Sequence, residues 1–212
     1  MMGLCRRCAL SALWMLCLPV MAQTAPAHDP AATRTFHDPV YKLSFDYPAN
    51  WNFSATDHEI STFHLDARSA PASAVMRAVV AMPENPFPAS TFSGAYFYFS
   101  VTPRASSSSC MRQAAPPAGG SGTANEAVHV AGIPFTRGRD EQKGICTMQR
   151  DEIYTAYRHG ACYRFDLSIN NFCGGDVSGV KDITPKELDQ VWGRLEFILN
   201  TVRFDVKYPR VS

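Results

Sequence analysis

The cysteines of this 212-residue chain fall into two groups. Cys5, Cys8 and Cys17 lie at the amino terminus, and Cys110, Cys146, Cys162 and Cys173 are spread over the second half. No pair has the C-x-x-C spacing of a zinc or redox site. An even set of four therefore reads as two structural disulfides formed in an oxidising compartment. The histidines do not assemble a metal site: His58-Glu59 and His64 lack the His-Glu-x-x-His spacing that puts two imidazoles on one helix face. His28 and His37 lie in or near a polar leader, and all six histidines read as surface residues. Asp151, Glu152, Asp166 and Asp176 are available as carboxylate pairs, but nothing in their spacing favours that over solvated strand positions. A G-x-S-x-G elbow, a phosphate loop and a dinucleotide fingerprint are missing, and Gly119-Gly120-Ser121-Gly122 has no strand before it. The sequence thus predicts no catalytic residue, no metal ligand and no cofactor.

The amino terminus sets the compartment. Arg6 and Arg7 precede an apolar stretch from Cys8 to Leu18, too short to span a bilayer. Pro19 ends it, and Val20-Met21-Ala22 offers small residues for cleavage before Gln23. Residues 1–22 read as a signal peptide, which predicts a periplasmic or secreted protein with no stable membrane span after cleavage. Removing Arg6 and Arg7 takes the formal charge from +1 to −1. A near-neutral chain without basic runs argues against nucleic acid as a partner.

The remaining chain reads as a disordered leader at 23–34 and one globular domain at 35–208, ordered from near Phe36. Leu43–Tyr47, Trp51–Phe53, Thr62–Leu65 and Ala74–Met82 are strand candidates by alternation or apolar content. Ala95-Tyr96-Phe97-Tyr98-Phe99-Ser100-Val101 is aromatic at both parities, as expected of a strand covered on both sides. Residues 104–124 are rich in Ser, Ala, Pro and Gly and read as a long surface loop tethered by Cys110. A turn at Gly132 and a hairpin turning at His159-Gly160 follow. In the hairpin's return arm Tyr163, Phe165, Leu167 and Ile169 form an apolar face, with Arg164, Asp166 and Ser168 opposite. Thr184-Pro185-Lys186-Glu187 is a capping box with proline at the first helical position. The helix it opens carries Leu188, Val191, Trp192, Leu195, Ile198 and Leu199 toward a sheet, so Trp192→Ala is expected to cost on the order of 3–5 kcal/mol. A terminal strand, Thr201–Phe204, ends the domain.

Geometry selects among the three ways of pairing four cysteines. A strand from Cys162 to Ile169 carries the chain about 23 Å away, and the four residues to Cys173 retrace at most about 14 Å. A Cys162–Cys173 bridge is therefore excluded. A turn centred between His159 and Gly160 opposes residues whose numbers sum to about 319, which sets Cys146 against Cys173. The expected bonds are Cys110–Cys162 and Cys146–Cys173.

Tyr41-Lys42-Leu43-Ser44-Phe45-Asp46-Tyr47-Pro48-Ala49-Asn50-Trp51 resembles the opening G-F-S-x-x-Y-P-x-x-W signature of PsbP-like domains, with Lys42 where the signature has glycine. The closing helix running into Leu199–Phe204 is similar to the way those domains end. The hairpin from Tyr154 to Leu167 resembles secreted bacterial relatives of unassigned function. The resemblance implies an α+β fold, a largely antiparallel sheet flanked by helices in an α/β/α sandwich. It transfers no catalytic residue. The family consists mostly of binding and accessory modules, so the implied function is a non-enzymatic exported binding domain for an unidentified protein or small ligand. Two alternatives are a carrier of a small apolar ligand, with the aromatic strand as its floor and 104–124 as lid, and a small hydrolase assembled from distant residues.

Overall fold

Alternation at period two builds most of the chain into strands. The computed structural model describes residues 32–67, 69–115, 126–144, 147–172 and 179–205. Strands β1 (Thr33–Asp38), β2 (Leu43–Pro48) and β10 (Arg203–Phe204) form a small antiparallel sheet with β2 in the middle. The main sheet has seven antiparallel strands, ordered β3 (Asn52–Ser54), β4 (Val75–Ala81), β5 (Phe92–Pro103), β9 (Ala161–Phe172), β8 (Thr147–Arg158), β7 (Ile133–Gly144) and β6 (Glu126–Val130). Helices α1 (Phe63–Asp66), α2 (Ser107–Arg112) and α3 (Pro185–Asn200) complete the described elements. The fold is α+β and mostly antiparallel, the predicted class.

One face of the main sheet carries the large core. Phe97, Phe99 and Val101 of β5 and Tyr163, Phe165, Leu167 and Ile169 of β9 are buried against α3 and the small sheet. Their cover includes Val191, Leu195, Ile198 and Leu199 of α3 and Leu43, Phe45 and Tyr47 of β2. Each such residue contributes roughly 1.5–3 kcal/mol by leaving water. The capping box at Thr184 and Glu187 forms as predicted, with Pro185 starting the helix. Leu188 and Trp192 are only partly buried, so the loss on Trp192→Ala falls below the range expected from sequence.

The opposite face of β5 is covered too, which accounts for its aromatic residues at both parities. Tyr98 is buried there with Phe63 and Ala67 at α1 and with Met76 and Val79 of β4. Thr62–Leu65, expected as a strand, therefore contributes to a helix: Phe63 buries itself across the sheet rather than within it. Part of the expected loop at 104–124 is also helical. Ser106 and Ser109 cap each other to open α2, and Cys110 ties that helix to β9 through the Cys110–Cys162 disulfide, with α-carbons 5.2 Å apart. Gly138 of β7 lies beneath the segment that leaves α2, where an added β-carbon would come within 1.5 Å of the Ala114 carbonyl oxygen.

The turns explain the registers. His159 and Gly160 both have positive φ, 49° and 77°, as a two-residue hairpin loop requires. The resulting β8–β9 ladder runs from Arg158 opposite Ala161 to Thr147 opposite Phe172, the predicted register. Cys146 and Cys173 lie outside the described residues. So do residues 1–31, including the signal peptide and most of the leader, and β1 already starts at Thr33, ahead of the expected onset near Phe36.

Lys42 adopts a φ of 55° in the turn between β1 and β2. That backbone region favours glycine, the residue of the resembled signature at this position. Asp38 holds the turn: its carboxylate accepts from the Val40 and Tyr41 backbone N–H groups at 2.8 and 2.9 Å and from Arg77 Nε at 2.8 Å. Lys42→Gly is expected to stabilise the protein by about 0.5–1 kcal/mol, the relief of strain being partly offset by a freer unfolded chain. A melting temperature that stays level or falls would contradict the strain assigned to this turn.

The two ends of the fold meet at β2. Thr201 Oγ1 accepts from the Asp46 N–H at 2.8 Å across 155 positions of sequence. Arg203 donates to the Asp46 carboxylate through Nη1 and Nη2, at 3.0 and 2.8 Å.

Candidate functional site

Strand alternation gives the outer half of the main sheet two different polar faces. On the α2 side, β9 presents Arg164, Asp166 and Ser168, all at most 1% exposed. The alternation was legible, but its polar side is not solvent-facing: α1, α2 and their flanking segments cover it. Arg164 donates from Nε to both Asp166 oxygens at 3.0 and 2.9 Å and from Nη2 to Asp166 Oδ1 at 2.6 Å. Its remaining N–H groups reach Ser69 Oγ at 2.7 Å and the Ser69 and Gln113 carbonyls at 3.2 and 3.1 Å. The guanidinium thus fastens the strand to both covering segments.

Two rows from Arg164, Ser168, Asp151 and Asp140 lie side by side on β9, β8 and β7. Asp140 and Asp151 are directly opposed, and both are buried. Burial pushes the Asp151 carboxyl up to about 7, with like charge from Asp166 and Asp140 adding to the rise. Hydrogen bonds from Ser168 and Gln149 act against it. Asp140 accepts from Gln142 at 2.6 Å through Oδ2, while its buried Oδ1 has no partner among the described residues. The reading of Asp151, Glu152 and Asp166 as solvated strand positions is therefore corrected: cross-strand neighbours and covering segments bury all three. Asp176 lies outside the described residues. No group of three or more His, Cys, Asp or Glu among the described residues is arranged to hold a metal ion.

The α3 side is open where the helix stops covering the sheet. α3 rests on β2, β5 and β9, and the face of β7 and β8 beyond it turns from apolar to charged. A groove of about 520 Å³ lies there, lined in part by Arg139 and Glu141 of β7, Arg150 and Glu152 of β8, and Asp189, Trp192 and Glu196 of α3. Cross-strand pairing matches both of its strand arginines with carboxylates. Arg139 Nε is 2.7 Å from Glu152, and Arg150 Nε is 3.9 Å from Glu141. Glu152 also accepts from Tyr154 at 2.7 Å, and burial together with that acceptor pushes the Tyr154 hydroxyl above its ordinary value. A carboxylate held between two cations and a phenol, like Glu152 with Arg139, Arg137 and Tyr154, is positioned as structure rather than poised as a base.

Of the residues singled out from sequence, Cys110 and Cys162 are joined as expected. His37, His58, His64, His129 and His159 are all exposed, and His28 lies outside the described residues. Sequence reasoning missed the groove. Its signal was the alternation of Arg137, Arg139, Glu141 and Lys143, which marks one charged face of a strand at the point where the apolar face of β9 ends.

No family model matches this chain, and no curated protein matches it. Among solved structures it is similar to cyanobacterial PsbP (CyanoP) from Synechocystis sp. PCC 6803, at 11% identity over 87% of this chain and 99% of that one, with a TM-score of 0.46. It is also similar to LpqN of Mycobacterium tuberculosis, a protein involved in cell envelope biogenesis, at 10% identity over 82% and 85% of the two chains and a TM-score of 0.42. A chain from Bacteroides thetaiotaomicron VPI-5482 is 12% identical over 83% of this chain, with a TM-score of 0.42, and this chain spans only about half (51%) of its length. The PsbP likeness read at the two ends and the hairpin is thus met again among solved structures. At these identities and scores none of the three carries an argument about function.

Proposed function

We propose that this is a non-enzymatic exported binding or accessory domain that meets a protein partner through the groove between α3 and strands β7 and β8. The groove itself carries the reading: an open, charged concavity beside a partly exposed tryptophan, with its floor already ion-paired. Such mixed polar and aromatic surfaces suit protein contact. Export is supported by the signal-like amino terminus and by the Cys110–Cys162 bond, a feature of oxidising compartments. No helix among the described residues is long and apolar enough to cross a membrane. A carrier of apolar ligands finds less support, because the aromatic rings of β5 are spent inside the protein: Phe97 packs on Phe45 and Phe165, and Tyr98 on Phe63.

Site-specific photo-crosslinking in the producing cell tests the reading. A benzophenone side chain at Gly193, next to Trp192 and with open space around it, is expected to capture a discrete protein adduct. The same group at Val40, exposed in the small sheet's turn, should not capture it. Identical adducts from both positions, or none from Gly193, would count against the groove as the contact surface.

A further inference from the structure

We propose that the groove is built for a basic partner, specifically a lysine- or arginine-bearing extended segment whose cation lies on Trp192 between Asp189 and Glu196. This inference rests on the groove being the contact surface and names the chemistry that fills it.

Charge balance within the groove leads to that choice. Arg139 is matched by Glu152 and Arg150 by Glu141, and with Asp140 and Asp151 also lining the groove the floor leaves no cation unmatched. The helix wall is different. Asp189 and Glu196 are exposed, and neither has a cation within ion-pair distance among the described residues. They stand three residues before and four after Trp192, which puts all three side chains on one stripe of α3, and all three line the groove. Among the described residues no cation lies over the Trp192 ring, whereas Tyr41 and Phe204 are covered by Arg77 and Arg158. An indole face flanked by two carboxylates is the arrangement that attracts an ammonium or guanidinium group. The floor offers no unmatched cation to repel such a group, and an acidic segment would meet two uncompensated carboxylates on the helix.

The test uses the full mature chain and three synthetic peptides of equal length, alternating alanine with arginine, glutamate or serine. Trp51 is only 7% exposed, so a change in tryptophan fluorescence on titration reports mainly on Trp192, and Trp192→Phe identifies it. The arginine peptide is expected to bind and the other two not. Asp189→Asn and Glu196→Gln should each weaken it by roughly two- to fivefold, as exposed charge pairs do, and near-molar salt should abolish it. Trp192→Ala, followed by calorimetry, should weaken it by a similar roughly two- to fivefold. Both carboxylates are on the helix surface, so unchanged melting temperatures will confirm that their variants fold. Binding of the glutamate or serine peptide with a Trp192 response would overturn the basic partner and leave the groove as a contact surface. Free spermidine binding as tightly as the peptide would overturn the extended segment. Silence toward every probe, together with no Gly193 adduct, would remove both readings.

Discussion

Arg164→Met is expected to destabilise the protein by about 3–5 kcal/mol, because it leaves the Asp166 carboxylate buried without its cation. It also strips the hydrogen bonds from Ser69 Oγ and from the Ser69 and Gln113 carbonyls, at sites where water has little access. The urea midpoint of unfolding measures the loss. The double variant Arg164→Met/Asp166→Leu provides the diagnostic comparison. Removing both charges eliminates the uncompensated carboxylate, so the double variant should be more stable than the single one although it lacks more native polar contacts. A double variant less stable than Arg164→Met would mean that the penalty lies in lost packing, not in the stranded charge.

The second large effect is a dependence of stability on pH. The folded state holds the Asp151 proton up to about pH 7, against an ordinary value of 3.8. Between those values the folded protein binds a proton that the unfolded chain has released, so stability falls as pH rises from about 4 to 7 and levels off above. The gap corresponds to on the order of 4 kcal/mol. The groups responsible face Asp151 from every side: Asp140 across β7, Ser168 and Asp166 on β9, and Gln149 on its own strand. Asp151→Asn, which is neutral at every pH, should remove most of the slope. Its gain in melting temperature should be large at pH 8 and small at pH 5. Parallel stability profiles for variant and wild type across that interval would show that Asp151 ionises freely in the fold.

Much of the architecture could be read from the chain because local chemistry and burial agreed. The β8–β9 register followed from one glycine-containing turn, and α3 from a capping box continuous with an apolar stripe. Where tertiary cover decided, the sequence misled. Phe63 lies in a segment with no helical repeat, yet it is helical because its ring is needed across the sheet. The serines before Cys110 look like loop residues, but two of them supply the cap that opens α2. The same limit hid the polar face of β9. Period two tells that Arg164 and Asp166 share a side; it does not tell what lies over that side. The groove was harder still, since it arises where a helix from one end of the chain fails to reach strands from the middle.

The meeting of β2 with β10 bears on when this protein can fold. In a chain that emerges amino terminus first, Asp46 of β2 precedes the residues that bond it, Thr201 and Arg203, by 155 and 157 positions. Until then the small sheet lacks an edge, and Leu43, Phe45 and Tyr47 have no α3 to pack on. Contacts of such wide sequence separation make folding slow, since the chain must close a long loop before it is rewarded. If the protein is exported as proposed, the same delay would keep the chain loose enough to be threaded across a membrane until β10 pairs with β2 and commits it to the native state.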